Sequence, residues 1–230
     1  MPSKRKSKKR RIAKKSHLLF FPLLFLVLLL WVVYRSIFSF PVWFDESIGK
    51  AIFFAIPVWL YVLVSNFRPI VNSFAFFKMK RGLMLGLAVG GIFGFVTSLI
   101  GVIQKNANIE AAMLFTSDKF WWEFFLALMT AFWETLFFFS FIYTVIQDKY
   151  AHWDLLKRVL LASLIFLVFH LPNTFLRFTS LNHILAQIFL LFLFAIGQSL
   201  LFEKEKNAYA LVLSHSIWGM VLLIHVNSGL

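Results

Sequence analysis

Seven long apolar segments dominate this sequence, at about 17–38, 50–66, 81–103, 121–146, 158–171, 183–201 and 208–226. About 20 such residues cross a hydrocarbon core of roughly 30 Å as a helix. Only helices and closed barrels satisfy their backbone groups at that depth. The expected fold is therefore all-α: a polytopic bundle of about seven membrane-spanning helices. The fifth segment is short and ends at Pro172, so it can continue as a kinked or re-entrant stretch to Phe178. An eighth helix has room there or in 37–48. Composition agrees, with 60% hydrophobic and 14% charged residues, against about 25% charged in soluble domains. There are no cysteines, which excludes disulfides, thiol catalysis and Cys-ligated metals.

The net charge of +13 is unevenly spread. Nine of the 23 Lys and Arg residues fall in the first 15 positions, which contain no acid. Such a patch can bind nucleic acid. Directly before a hydrophobic span, it instead retains the terminus in the cytoplasm and contacts anionic lipid. We expect no nucleic-acid partner. The first apolar run is long and lacks a small-residue cleavage site, so it reads as a retained helix rather than a signal peptide. The chain divides into a basic cytoplasmic tail, 1–16, and a single transmembrane domain, 17–230.

Loop charges orient the bundle. Inner segments carry +4 from Arg68, Lys78, Lys80 and Arg81, then +1 around 147–158 and zero around 202–207. The outer segments carry −1 around Asp45, Glu46 and Lys50, zero around 104–119 and +1 from Arg177. The large positive excesses share a side with the tail. A multi-pass protein of the cell membrane, N-terminus inside and C-terminus outside, is expected. Gly82, Gly86, Gly90 and Gly94 recur every fourth residue, a stripe that lets a neighbouring helix approach closely. Pro57 should kink the second span unless neighbours satisfy the freed carbonyl. No repeat or inverted duplication of a transporter kind is evident.

One carboxylate, Glu134, lies in the middle of the fourth apolar segment. A charge there costs about 2.5–3.5 kcal/mol on insertion scales, so something should compensate it. Glu123, Thr130 and Glu134 share a helix face. Left unpaired, a desolvated carboxyl titrates nearer neutrality, where general acid–base catalysis operates. A structural Glu bonded to a neighbouring helix is the plainer alternative. His170 and His215 lie inside two further apolar segments. Singly, each would most often be an interhelical hydrogen-bonding group; together with Glu134 they suggest a polar site. Two His and one Glu are a ligand set of catalytic zinc with an open position, so Zn is one option. A metal-free site, with the Glu activating water and the His groups stabilising an oxyanion, is the other. The helical H-E-x-x-H signature is absent, which weakens the zinc version. His183, Gln187 and Gln198 lie near one face of the sixth span and are expected to bond across helices. His225 and Asn227 read as interfacial, and His17 and His152 as solvated.

In this order the residues resemble the CPBP family of intramembrane proteases, which includes the type II CAAX prenyl endopeptidases and bacteriocin-processing and self-immunity proteins. The family pattern is E-E-x-x-x-R, F-x-x-x-H and H-x-x-x-N (or Asp) on three helices. Glu134 matches the first Glu, Phe166 and His170 the second motif, and His215 the third His, over roughly 121–226. Thr135, Phe139 and Gly219 stand where the second Glu, the Arg and the Asn are expected. Losing Glu and Arg together removes a charge pair rather than stranding one member. Asn173, three residues after His170, is the candidate to substitute for the missing Asn. The resemblance implies that Glu134 activates water and that His170 and His215 stabilise the transition state. It also implies a membrane-associated peptide or protein as substrate, with prenylated ones among the candidates. A non-catalytic protein of the same fold, binding a lipidated peptide, and a small proton-coupled transporter are the alternatives.

Overall fold

The computed structural model describes residues 17–105 and 118–227; the basic segment 1–16 lies outside them. Among the described residues the protein is all-helical, with seven long helices. They are α1 Phe20–Ile37, α2 Val42–Ser65, α3 Met79–Lys105, α4, α5 Leu155–Arg177, α6 Leu181–Glu205 and α7 Ala208–Asn227. Helix α4 is one continuous run of Asp118–Glu134, Thr135–Tyr143 and Thr144–Lys149. Six spans among the described residues are long and apolar enough to cross a membrane: Phe20–Ile37, Val42–Ser65, Pro69–Val96, Lys119–Lys149, Leu155–Arg177 and Leu181–Glu205. The chain is a multi-pass integral membrane protein. Large apolar side chains such as Phe76, Phe77 and Leu63 face outward, as lipid contact requires.

Boundaries differ from the expected ones where a helix signal was masked. Helix α2 begins at Val42, directly after Pro41, a residue whose fixed φ suits a helix start. The candidate extra helix at 37–48 is thus mostly the first turns of α2. Helix α5 runs through Pro172 to Arg177 without re-entering. The backbone around the proline finds other partners: Trp31 Nε1 donates to the Phe169 carbonyl at 3.1 Å, and Thr174 donates to the His170 carbonyl at 3.0 Å. Neighbouring helices and hydroxyl side chains are what make a transmembrane proline tolerable. Pro57 is accommodated in the first turn of Ile56–Ser65, behind a widened π turn at Ala51–Ala55.

Aromatic side chains fill the centre. Phe54 stacks on Phe137 at 4.8 Å, Phe138 meets Phe166 edge-on at 4.8 Å, and Phe169 meets Phe137 at 5.2 Å. These contacts join α2, α4 and α5, and buried Trp31 and Phe20 add α1. Offset and edge-on pairs contribute about 0.5–1.5 kcal/mol each beyond burial.

Helix α3 lies against α7 along its glycines. A Cβ on Gly82 would meet the Asn207 side chain at 2.5 Å, on Gly86 the Ala210 carbonyl oxygen at 2.7 Å, and on Gly90 Ile217 at 2.8 Å. The stripe is therefore a packing seam. His17 is buried, unlike the expected solvated residue. Its ring lies between the Tyr61 hydroxyl at 2.9 Å and the Asp148 carboxylate at 2.7 Å, and Lys149 donates to its carbonyl. His152 is exposed. At the start of α5, Asp154 caps the helix by accepting from the Lys157 backbone at 2.8 Å. That bond, with the Lys157 side chain, holds its carboxyl below the usual range.

Candidate active site

Glu134 is carried to the centre by α4 and sits where the helix changes pitch: Thr135–Tyr143 form π turns. Such widenings recur at functional sites because they re-aim side chains without ending the helix. The carboxylate is 4% exposed. Its Oε2 lies 3.3 Å from His170 Nε2 and 3.5 Å from His215 Nε2. The three residues singled out in the sequence, from α4, α5 and α7, thus converge around one oxygen.

Each histidine is held by its own surroundings. His170 Nδ1 donates to the carbonyl of Phe166 one turn earlier at 2.8 Å, and the Phe166 ring stacks on the imidazole at 4.0 Å. The spacing F-x-x-x-H therefore has a local cause: residue i−4 supplies both the acceptor and the stacking face. A carbonyl only accepts, so Nδ1 carries a proton, and Nε2 is the ring atom that faces Glu134. His215 is 7% exposed. It packs on Phe194 at 4.7 Å, and its Nδ1 is buried without a partner. Counting turns from residue 208 puts His215 shallower than Glu134, at about 10 Å against 18 Å with 1.5 Å per residue. The contact between His215 Nε2 and Glu134 Oε2 at 3.5 Å puts the two side-chain ends at one level.

Sequence reasoning missed two members of the cluster. Lys50 Nζ donates to Glu134 Oε1 at 2.6 Å and pairs with Glu46 Oε2 at 2.5 Å. Thr130 donates to Glu46 from α4. Hydropathy alone places Glu46 and Lys50 among the outer loop charges, whereas they lie in α2. Pro41 before an apolar triplet was the signal that a helix begins there, which sets 46 and 50 one turn apart on one face. Lys50 is thus the compensation that a carboxylate in this apolar segment requires. Glu123 stays outside the cluster and pairs with Lys119 at 3.6 Å.

The remaining candidates fall elsewhere. Gln198 and Ser214 bond across α6 and α7 at 3.1 Å, as expected for an interhelical contact. His183 is exposed and Gln187 half-buried. The side chains of His225 and Asn227 lie outside the described residues. Asn173 is half-buried, and its Oδ1 has no partner. Among the described residues, no hydrogen bond joins its side chain to the cluster. Thr135 and Phe139 are fully buried, whereas a Cβ on Gly219 would meet nothing within 4 Å. The most accessible edges of the cluster are the side chains of Glu46, 28% exposed, and His170, 16% exposed. An apolar cavity of about 410 Å³ lies beside α4, lined by Val58, Phe74, Trp133, Leu136 and Tyr209 among others, and by none of the cluster residues.

The donor set does not suit a bound zinc ion. Among the described residues no three His, Asp or Glu side chains are disposed to hold one metal. An ammonium already occupies one oxygen of the carboxylate, where a divalent cation would meet a like charge. What the arrangement can do without a metal is orient a small polar molecule between a carboxylate oxygen and two ring nitrogens.

No curated protein and no solved structure matches this chain. Residues 116–221, which contain Glu134, His170 and His215, match the family model described as type II CAAX prenyl endopeptidase Rce1-like. The resemblance read from the motifs therefore holds over this segment, which is similar to a protease family within the CPBP group.

Proposed function

We propose that this protein is an intramembrane endopeptidase that hydrolyses a peptide bond in membrane-associated substrates, prenylated peptides among them. The observation that carries the reading is the convergence of Glu134, His170 and His215 within 3.5 Å. A water about 2.8 Å from Glu134 Oε2 and His170 Nε2 completes a hydrogen-bonded triangle. In the tautomer of His170 that is protonated on Nδ1 alone both of those atoms accept, so the water points both protons at them and its lone pair at the substrate. Glu134 takes a proton as the oxygen attacks the carbonyl carbon. The carbonyl oxygen becomes an oxyanion, which His215, protonated on Nε2, stabilises by donation. Glu134 then gives its proton to the leaving nitrogen as the C–N bond breaks. We further propose that the N-terminus is cytoplasmic, with segment 1–16 on anionic lipid and 17–230 as one domain.

A second reading, a non-catalytic protein that binds a lipidated peptide, is favoured by Thr135, Phe139 and Gly219 in place of the family's polar residues. The two separate on incubating the purified protein in detergent with prenylated and membrane-embedded peptides. Cleavage that disappears in Glu134→Gln and His170→Ala supports the endopeptidase. Tight binding without turnover supports the second reading, and cleavage unchanged in both variants rejects the site.

A further inference from the structure

A site of one carboxylate and two imidazoles does not need an ammonium, yet one is built into this cluster with care. Lys50 is 5% exposed, although a lysine near a helix start can usually snorkel its charge to water. Its seat comes from two helices. Glu46, one turn earlier on α2, and Glu134 on α4 each accept from Nζ. Glu46 is in turn held by Thr130, one turn before Glu134. The two oxygens of Glu134 are divided without overlap: Oε1 belongs to Lys50, and Oε2 faces both imidazoles. The terminal torsion of a glutamate is broad and roughly two-fold, so a carboxylate facing only the rings has no fixed rotation. On α4 itself, positions 135 and 139 carry a threonine and a phenylalanine. Among the described residues, Lys50 is the cation other than histidine that pairs with Glu134. It stands between two π turns of α2, Asp45–Gly49 and Ala51–Ala55.

We propose that Lys50 is the positioning residue of this site, its ammonium clamping one oxygen of Glu134 so that the other is presented, ionised, to the two imidazoles. The catalytic consequence rests on the endopeptidase reading; the clamp itself does not.

The test labels purified full-length protein in detergent at neutral pH with dicyclohexylcarbodiimide. A protonated carboxyl adds across the carbodiimide: a C–O bond forms, the proton goes to nitrogen, and the adduct rearranges to a stable N-acylurea. An ionised, paired carboxylate does not react. Without the ammonium, Glu134 keeps the two imidazoles at 3.3 and 3.5 Å, and burial then favours the form that holds its proton. Lys50→Met should therefore raise the adduct on the Glu134 peptide by roughly tenfold or more, one pKa unit being a factor of ten. Lys50→Arg, which keeps the charge, should label like wild type. Lys50→Gln, polar but uncharged, is the second variant should Lys50→Met fail to fold, with the same expectation. Equal labelling in wild type and the uncharged variants overturns the clamp, as does high labelling in wild type. In peptide cleavage, Lys50→Met should lower kcat more than it changes KM, with recovery in Lys50→Arg. Adduct that rises in Lys50→Met while wild type cleaves nothing supports the clamp and removes only the endopeptidase reading. Cleavage by wild type with adduct unchanged in Lys50→Met removes the clamp alone.

Discussion

Helix α7 makes two unlike contacts from two of its faces. Ala210, Leu213 and Ile217 meet the glycines of α3. His215 and Trp218, about a third of a turn away, meet Glu134 and Phe194. The first contact is close because side chains have been removed; the second is held by charge and aromatic packing around a polar centre. Shape dominates one side and chemistry the other. The seam should tolerate chemical change but not volume, and the cluster the reverse.

The largest effect should come from chemical change without volume change. Glu134→Gln should reduce cleavage by about 10²–10⁴, the usual range for losing a general base, measured as kcat/KM on a membrane-embedded peptide. Volume without chemistry comes next. Gly86→Leu places atoms against the Ala210 carbonyl oxygen, which is backbone and cannot rotate away. It should destabilise the protein by about 1–3 kcal/mol, as overpacking does, read from the thermal midpoint in detergent. Gly91→Ala on the same helix meets nothing within 4 Å and should stay within about 0.5 kcal/mol. Gly219→Asn adds a donor one turn from His215, into open space. It should raise the rate roughly tenfold, less than the full value of an oxyanion donor, with the midpoint unchanged. A rate unchanged in that variant would mean that position 219 does not face the reacting carbonyl.

The smallest effect lies far from both contacts. Asp154 caps α5, and its folded carboxyl titrates below the unfolded value. Its stabilisation is therefore present above the unfolded value and is lost as pH falls through the lowered one. The thermal midpoints of wild type and Asp154→Ala should differ at neutral pH and converge in acid.

How much could be read in advance differs between the two contacts. The glycine stripe was legible because a four-residue period survives any error in helix ends. Glu134, His170 and His215 were legible as ionisable groups in apolar segments, where each must be compensated. Lys50 and Glu46 were not, because loop-charge counting assigns any charge near a span boundary to water, and α2 starts eight residues earlier than its hydropathy suggests. The passage of α5 through Pro172 was equally hidden. It depends on Trp31, 138 positions from the carbonyl it satisfies, and no local pattern contains that information. The π turns at Thr135–Tyr143 were hidden as well, because nothing in this Phe-rich stretch marks a change of helix pitch.

The most direct test of the central claim is a double-variant cycle in kcat/KM for Glu134→Gln and His170→Ala on a cleavable membrane peptide. Groups that act on one water lose their contribution together, so the double variant should be scarcely slower than the worse single variant. Losses that multiply, or single variants that cleave as fast as wild type, would contradict a shared water.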